Sequence, residues 1–444
     1  SMLADRWRLM RNYVLRRVAR FPKPVRAAVM AALDPARWAG LTLRAQAPSA
    51  AEGLRSEHRP GELLEGLREL GMALFRCNMT GHAYRLLGRA VDVIPREKLR
   101  LFLEGADEVL AAVAARTDWA QGGAPDRELS IGGFLFSREE SRRIPALILQ
   151  NLRELCDLSS ASHVKVAIVD NGLFANWLQL VDARFFASEA AEVEADWQLR
   201  GQEREFNYGQ KGDDVFCALF KEPRGPPKAC QTEYVVYHRF NLLLVNVFRG
   251  LFLRGPRAAM RRQLYSRVLG SLSPRPDLLR SRDEVLAMAR PGARLIGVHK
   301  RVDNPGTARM QLDQVMPSTA SFVQATLRLA SRHGDAENTV VILATDDTAA
   351  VPAFRAAFGE RLLCRAGVRR CDGGVNDQGV PIEVHGQPER LTLDDARDCF
   401  VDALLLASCK AFVHADSNVT IAVGIMNPEA EAVHVRDLVN AESA

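Results

Sequence analysis

The sequence has no uninterrupted apolar run of about 18 residues, the length that a membrane-spanning helix needs. Its most apolar stretch, residues 240–248 (FNLLLVNVF), is short and is interrupted by asparagines. The 8 cysteines form no C-x-x-C pair and have no histidine partner at the spacing of a zinc site. The sequence therefore predicts neither a membrane span nor a structural zinc site, and we expect the cysteines to be mostly buried free thiols.

Several short catalytic signatures are missing as well. The chain contains no G-x-x-x-x-G-K-[ST] phosphate loop, no G-x-G-x-x-G fingerprint, no H-E-x-x-H and no G-x-S-x-G. It also lacks D-x-D, the motif by which many metal-dependent sugar transferases hold a metal and a diphosphate. If the protein handles a nucleotide sugar, its own cations must balance the phosphate charge in place of a metal.

The charge of the chain is concentrated at its start. The whole sequence carries a net charge of +5, and residues 1–30 alone hold +7, which leaves the remaining chain at −2. A nearly neutral body has no general field that attracts polyanions. We therefore predict no nucleic-acid partner and expect any phosphate to bind at a local site.

The first 30 residues predict a basic amphipathic helix. Between residues 3 and 21, apolar side chains recur at a helical period with arginines between them. This helix either packs its apolar stripe on the rest of the protein or serves as a peripheral arm for a membrane surface or a protein partner.

The next segment, residues 31–135, is predicted to be helical and to end in a linker at 118–134, which is rich in glycine, aspartate and proline. Within it lies the spacing of one tetratricopeptide repeat (TPR), in which small residues let two helices approach closely. The matching residues are Gly71, Leu74, Ala83, Leu87, Ala90 and Pro95. The TPR-like hairpin is either plain scaffold or a peptide-binding groove, since no array of repeats follows.

From residue 163 onward, short apolar strands alternate with polar turns and helices. Residues 164–169 (VKVAIV) form a β-branched run that continues through Asn171 and Gly172 into an apolar helical stretch. A strand that runs through a tight turn into a helix is the opening unit of an open parallel sheet, where ligands bind at the strand ends. We predict a Rossmann-like domain over 136–285 with Asn171 and Gly172 on its ligand side, although Gly172 is equally explained by a turn that requires positive φ.

The last 150 residues repeat the order of strand, polar turn and helix. Strands are predicted over 295–298, 339–344 and 411–414. Because parallel strands end at the same edge of a sheet, the polar turns that follow them can converge on one crevice. The pattern predicts a second Rossmann-like domain over 286–444. Its candidate nucleotide-binding residues are His299, Arg301, Asp346, Asp347, Asp402, Ser417 and Asn418.

The chemistry of this set suits a nucleoside diphosphate. The guanidinium of Arg301 can fork onto phosphate oxygens, and the free amides of a helix beginning near Ser417 can donate further hydrogen bonds. A carboxylate from one of the acids at 346, 347 and 402 can accept two hydrogens from the edge of a guanine.

The same residues also have plain structural interpretations. Arg301 can pair with Asp303, and Asp402 can face solvent on its helix. Ser417 and the pair Asp346-Asp347 can cap helices, which is the commonest role of such residues at a helix start.

Three segments in this part of the chain resemble a known family. They are IGVHKRVDN (296–304), VVILATDD (340–347) and DCFVDALLLASCKAFVHADSN (398–418). In this order and at this spacing they resemble the motifs shared by α1,6-fucosyltransferases, rhizobial nodulation fucosyltransferases and, more distantly, protein O-fucosyltransferases. The run Ser273-Pro274-Arg275-Pro276 adds to the likeness, which covers about residues 270–430 and leaves out the N-terminal third.

The resemblance implies an α/β protein of the GT-B fold, in which two Rossmann-like domains face a cleft. It implies a glycosyltransferase that moves fucose from GDP-fucose to a glycan or glycoprotein acceptor, with inversion at the anomeric carbon and without a metal or other cofactor. Carried over by position, His299 and Asp402 would hold the guanosine, Arg301 would neutralise the β-phosphate, and Ser417 would donate to the phosphates.

The chain departs from the family pattern at two points. Where α1,6-fucosyltransferases have two consecutive arginines, it has Arg301 followed by Val302. The glutamate expected as general base has no match, and Asp303 and Asp313 are the nearby acids that could accept the acceptor's proton. A GT-B transferase for another nucleotide sugar, and an inactive relative that binds partners through its helical region, therefore stay open as alternatives.

Overall fold

The computed structural model describes residues 80–114, 129–131, 134–136, 138–167, 173–196, 213, 215–221, 234–236, 252–253, 258–302, 317–334, 336–371 and 391–439. The chain divides into two compact units. The helical unit comprises residues 1–127 and 138–160, and the α/β unit comprises residues 128–137 and 161–444. The predicted basic helix over 1–30 lies outside the described residues.

The described part of the helical unit consists of α1 (Thr80–Val93), α2 (Arg96–Ala114) and α3 (Arg138–Ser160). Leu87 and Ala90 of α1 are buried. An ion pair of 2.7 Å joins Arg89 of α1 to Asp157 of α3. Because the first helix of the TPR-like hairpin lies outside the described residues, that hairpin stays a prediction.

Part of the predicted linker is ordered as a hairpin. Strands β1 (Leu129–Ile131) and β2 (Phe134–Phe136) pair antiparallel, with Leu129 opposite Phe136. The rest of the predicted linker, including its glycines and aspartates, lies outside the described residues. The helix α3 that follows belongs to the helical unit, although the predicted Rossmann-like domain was to begin at residue 136.

The first parallel sheet of the α/β unit has three strands in the described residues, in the order β4-β3-β5. These strands are β3 (His163–Ala167), β4 (Glu192–Asp196) and β5 (Tyr234–Val236), and both pairings are parallel. Helix α4 (Leu173–Phe186) follows β3, which confirms the predicted strand and helix, whereas the predicted turn between them lies outside the described residues. The helices that come next are α5 (Val215–Leu219), α6 (Ala258–Ser266), a 3-10 turn (Arg267–Ser271) and α7 (Pro276–Leu286).

The second parallel sheet has five strands in the order β10-β9-β6-β7-β8. The strands are β6 (Arg294–Lys300), β7 (Thr339–Thr345), β8 (Leu362–Leu363), β9 (Ala411–His414) and β10 (Glu431–His434). The helices are α8 (Thr319–Arg332), α9 (Ala350–Phe358), α10 (Leu393–Ala407), α11 (Asn418–Met426) and α12 (Val435–Val439). The chain builds β6, β7 and β8 toward one edge and then returns to place β9 on the other side of β6. This is the doubly wound topology that the alternating pattern predicts.

The sheet is covered on both faces, as a parallel sheet requires. One face packs Ile296, Val298 and Val413 against Phe322 of α8 and Phe354 of α9. On the opposite face α10 approaches β6 so closely that a Cβ at Gly297 would lie 2.8 Å from Leu406 Cδ2. The glycine in the segment LIGV is therefore a close-packing position between strand and helix.

Both sheets belong to the same compact unit. Phe174 of α4 stacks on Phe400 of α10 with ring centroids 5.9 Å apart, and Phe220 meets Phe400 edge-on at 5.4 Å. The predicted boundary between residues 285 and 286 falls at the end of α7, inside this unit. The α/β class with parallel sheets is confirmed, and a cleft of the GT-B kind stays a prediction.

Two composition-based expectations can be compared with the described residues. Among them, no helix combines the length and the apolar character needed to cross a bilayer. The cysteines that fall there are all free, as expected, but only three of them are buried. These three are Cys156, Cys371 and Cys409.

Candidate nucleotide-binding site

The candidate site lies where the strand order of the second sheet reverses, at the carboxyl ends of β6 and β9. Open parallel sheets bind ligands at this place because the loops of neighbouring strands turn away in opposite directions and leave a crevice. His299, near the end of β6, is in register with His414 at the end of β9. The Nδ1 atom of His299 lies 3.4 Å from the hydroxyl of Ser417, which follows β9. The structure thus brings together two of the residues that the sequence nominated.

Ser417 is the N-cap of α11. Its hydroxyl accepts a hydrogen bond from the amide of Thr420 at 3.1 Å, and the hydroxyl of Thr420 accepts one from the amide of Ser417 at 3.1 Å. This capping box leaves the amides of Asn418 and Val419 without a carbonyl inside the helix. The capping role of Ser417 and a role toward an anion are therefore compatible, because the same hydroxyl lies beside donors that a phosphate can reach.

Arg301 follows the end of β6 and is partly exposed at the same edge. Its Nε atom lies 3.8 Å from Oδ2 of Asp346, which follows the neighbouring strand β7. Asp346 Oδ1 accepts a hydrogen bond of 2.6 Å from the amide of Val302. Asp346 thus anchors the turn that carries Arg301 and holds its guanidinium at the edge of the sheet.

Asp347 has a different set of contacts. Its Oδ2 accepts a 2.6 Å bond from the ammonium of Lys300, and both side chains are buried, with 1% and 8% exposed. Its Oδ1 accepts a bond of 2.9 Å from the amide of Ala349 just before α9. These contacts engage Asp347 within the protein, although the N-cap of α9 is Ala349 and no side chain caps this helix.

Nothing in the sequence indicated the buried ion pair that Lys300 forms with Asp347, because Lys300 lies between two candidate ligand-binding residues, His299 and Arg301. Successive residues of a strand point to opposite faces, so Lys300 faces away from the side that His299 faces. The alternation of side chains along β6 was the signal that could have separated these two residues.

Asp402 lies on α10, one turn before Leu406, the residue that packs over Gly297 of β6. Its side chain is 16% exposed and does not face solvent freely, since its Oδ1 lies 3.2 Å from Nη1 of Arg365. Burial raises the pKa of the Asp402 carboxyl to about 6, and the charge of Arg365 opposes that rise. Arg365, which sequence reasoning did not single out, is therefore the main cation acting on the charge state of Asp402.

A row of histidines crosses the carboxyl edge of the sheet. His434 of β10 and His299 of β6 are both in register with His414 of β9, so the three share one face. The rings of His414 and His434 meet edge-on at 5.5 Å, and Nδ1 of His414 lies 3.9 Å from Oδ1 of Asp416. Only the strand pairing reveals this row, because the three residues are far apart in the sequence.

Three of the sequence-predicted residues lie outside the described residues. They are Asp303, Asn171 and Gly172, so the general base and the acceptor side stay predictions. Within the described ranges, no group of three or more His, Cys, Asp or Glu side chains is arranged to hold a metal ion.

The arrangement of Arg301 and the start of α11 can hold a small polyanion. Arg301 supplies a full positive charge, and the start of α11 supplies aligned amides with a partial positive charge of roughly half a unit. Asp402, paired with Arg365, is an acceptor for the N–H groups of a heterocycle.

No protein-family model matches this chain, and no curated protein sequence matches it. Similar solved structures include the α-1,6-fucosyltransferase NodZ soaked with GDP-fucose, which is 14% identical and has a TM-score of 0.36. The match covers 60% of this chain and 93% of that one. The same enzyme co-crystallised with GDP is 13% identical over 60% of this chain and 92% of that one, with a TM-score of 0.36. NodZ from Bradyrhizobium gives 14% identity, coverage of 60% and 93%, and a TM-score of 0.35. A similarity this low establishes neither a shared fold nor a shared activity.

Proposed function

We propose that the protein is a GT-B glycosyltransferase that transfers fucose from GDP-fucose to a glycan or glycoprotein acceptor. The reaction proceeds with inversion and without a metal. The observation that carries the proposal is the meeting of His299, Ser417 and the start of α11 at the topological switch point, with Arg301 on the same edge of the sheet.

The diphosphate occupies the space beside Ser417. The amides of Asn418 and Val419 and the hydroxyl of Ser417 donate to its oxygens, while Arg301 contributes the charge that a metal would otherwise supply. A single arginine suffices for this role when it is held in place beforehand. Asp346 does so through its contact with Arg301 and its hydrogen bond to the amide of Val302.

The base of the nucleotide lies toward His299 and Asp402. Asp402 is an acceptor when ionised, so it accepts hydrogens from the N1 and 2-amino groups of guanine. Adenine has no such pair of donors on its equivalent edge, and a uracil ring has one. The donor set therefore favours a guanine nucleotide over ADP or UDP.

In the chemical step one bond to the anomeric carbon forms and another breaks. The acceptor hydroxyl attacks the anomeric carbon of fucose, the bond from that carbon to the β-phosphate oxygen breaks, and GDP leaves with the electron pair. Arg301 stabilises the negative charge that develops on the β-phosphate, as preorganised cations do in phosphoryl and glycosyl transfer. The proton of the acceptor hydroxyl passes to a carboxylate, for which Asp303 is our candidate.

Calorimetric titration of the full chain with GDP, GDP-fucose, UDP and ADP tests this proposal. We expect GDP to bind and Arg301→Ala to weaken that binding by about tenfold to a hundredfold, the usual effect of losing a hydrogen bond between charged groups. Arg332→Ala is the matched control, because Arg332 pairs with Glu431 at the opposite end of the sheet and should leave binding unchanged.

Binding in the presence of EDTA tests metal independence, and hydrolysis of a panel of nucleotide sugars identifies the sugar. Preference for UDP or ADP would favour a transferase for another donor. A wild-type chain that binds no nucleotide would contradict the enzyme proposal.

A further inference from the structure

The segment that follows β8 is rich in arginine and leads back to the candidate site. Residues 364–371, here called the arginine segment, contain Arg365, Arg369 and Arg370. At its end, Cys371 lies beside Asp347 in a parallel bridge, and its amide donates to the carbonyl of Asp346 over 2.7 Å. The arginine segment therefore begins at the edge strand and ends at the acids that follow β7.

The arginine segment is held against an acidic face of α10. Asp395, Asp398 and Asp402 are spaced by three and four residues, so they share one side of that helix. Arg369 Nε lies 3.4 Å from Asp395, whereas Arg365 reaches both Asp398 and Asp402. Two arginines of one segment thus engage the same helix, Arg369 through Asp395 and Arg365 through Asp398 and Asp402.

The contacts of Arg365 fix the direction of its guanidinium. Nη1 donates to the main-chain carbonyl of Asp398 at 2.9 Å and to Oδ1 of Asp402 at 3.2 Å, while Nη2 pairs with the Asp398 carboxylate. The carbonyl of Arg365 in turn accepts a bond of 2.8 Å from Arg370. Because a guanidinium is planar and rigid, these contacts also orient the carboxylate of Asp402.

The charge state of Asp402 depends on the same contacts. Burial raises the pKa of this carboxyl to about 6, the nearby charge of Asp398 adds to the rise, and Arg365 and Arg370 oppose it. The thiol of Cys364 is a further titratable neighbour on the arginine segment. Loss of the Arg365 charge would therefore move the titration of Asp402 to higher pH.

We propose that Arg365 is a positioning residue that sets the base preference of the site, by holding the Asp402 carboxylate where it accepts the N–H groups of guanine. A carboxylate offers about four lone-pair positions, and Arg365 occupies one of them, so the rest stay available for a base. This inference rests on the proposed function, in which Asp402 receives the nucleotide base.

The test compares the binding of GDP and inosine diphosphate (IDP), which lacks the 2-amino group of guanine, between pH 5 and 8. We expect the wild-type chain to bind GDP about tenfold more tightly than IDP, the effect of one hydrogen bond to a charged acceptor. Arg365→Gln should lower GDP affinity at pH 7 by about tenfold, bring the GDP-to-IDP ratio toward one, and move the acid limb of binding to higher pH.

Two further variants separate positioning from plain structural support. Arg369→Gln removes the neighbouring arginine that pairs with Asp395, and it should leave both the ratio and the acid limb unchanged. Arg365→Lys keeps the positive charge but loses the forked geometry of the guanidinium. It should therefore restore the pH profile of binding more fully than the GDP-to-IDP affinity ratio. It also carries the test if Arg365→Gln fails to fold.

Each result decides between the possibilities. The role of Arg365 would be overturned if folded Arg365→Gln kept the GDP-to-IDP ratio and the acid limb of the wild-type chain. It would also be overturned if Arg369→Gln changed both to the same extent. Either result would leave the proposed function intact. If the wild-type chain binds neither GDP nor IDP, the proposed function fails, and the role of Arg365 fails with it.

Discussion

Lys300 and Asp347 form a buried ion pair at the carboxyl ends of β6 and β7. Their nitrogen and oxygen lie 2.6 Å apart, and Asp347 also accepts a bond from the amide of Ala349. Burying an ion pair costs desolvation free energy that offsets much of the attraction between the two charges. The loss of one partner nevertheless destabilises the fold strongly. Removing one partner strands the other charge inside the protein.

We expect Lys300→Met to lower the free energy of unfolding by about 3–5 kcal/mol, because Asp347 stays buried without its cation. The double variant Lys300→Met with Asp347→Asn should recover most of that loss, since the amide can still accept from Ala349. Chemical denaturation followed by tryptophan fluorescence, to which Trp177 of the same compact unit contributes, measures both. A single variant within about 1 kcal/mol of wild type would contradict this account.

The residue scale also shows why one segment of the sequence was harder to interpret than its neighbours. His299 and Arg301 were nominated for a ligand and lie at the site, whereas Lys300 between them serves the fold. Asp346 and Asp347 divide in the same way, one toward Arg301 and one toward Lys300. Residue type alone does not distinguish the residues that lie at the candidate site from those that serve the fold. The distinction depends on the face of the strand on which each side chain lies.

At the scale of the element, α4 carries polar groups on a helix that is buried almost all round. Asn176, Gln179 and Asp182 are at most 3% exposed. Burial raises the pKa of Asp182 from its ordinary value of 3.8 to about 7, and a hydrogen bond with Tyr265 opposes the rise. The helix therefore holds a carboxyl that is largely protonated below neutral pH.

The sign of the resulting pH dependence follows from proton counting. Between pH 4 and 7 the folded chain keeps a proton on Asp182 that the unfolded chain has lost, so stability falls as the pH rises through this window. The slope attributable to one such group is at most about 1.4 kcal/mol per pH unit. Below that window both states are protonated, and the contribution is constant.

Asp182→Asn should remove this slope, because an amide does not titrate and its oxygen can still accept from Tyr265. Relative to wild type, the variant is expected to gain stability steadily from pH 4 to pH 7. Unfolding curves at four pH values measure the difference. A pH dependence identical to that of wild type would show that Asp182 ionises normally.

Element boundaries were largely predictable for the second sheet. The strands expected over 339–344 and 411–414 are observed at Thr339–Thr345 and Ala411–His414. Continuous β-branched and apolar runs bounded by polar turns leave little ambiguity. The hairpin of β1 and β2 was missed because two triplets are too short to show a period.

At the scale of the whole molecule, the two compact units lead to different expectations for ligand binding. A nucleotide that binds only the folded α/β unit stabilises that unit by about 2.7 kcal/mol at a hundredfold excess over its dissociation constant. The described helices of the other unit contain none of the candidate nucleotide residues.

We therefore expect GDP to slow hydrogen exchange in residues 295–302 and 411–426, and to leave residues 80–114 unchanged. Exchange followed by mass spectrometry measures both regions in one experiment, with Arg301→Ala as the variant that should lose the protection. Protection confined to the helical unit would instead favour a binding protein that acts through its helices.

The sequence by itself determined the α/β class, the alternation of strands and helices along the C-terminal part of the chain, and the polar residues that follow three of its strands. These follow from local periodicity and turn chemistry, which each segment carries independently of the others. The same information nominated Arg301, His299 and Ser417, because polar groups at strand ends are visible in a linear pattern.

Only the tertiary structure decided which of these groups meet. The pairing of Asp402 with Arg365, the burial of Lys300 beside Asp347 and the row formed by His299, His414 and His434 all join residues from different strands or helices. Such contacts depend on strand order and register, which arise from packing the whole unit and are written in no single segment.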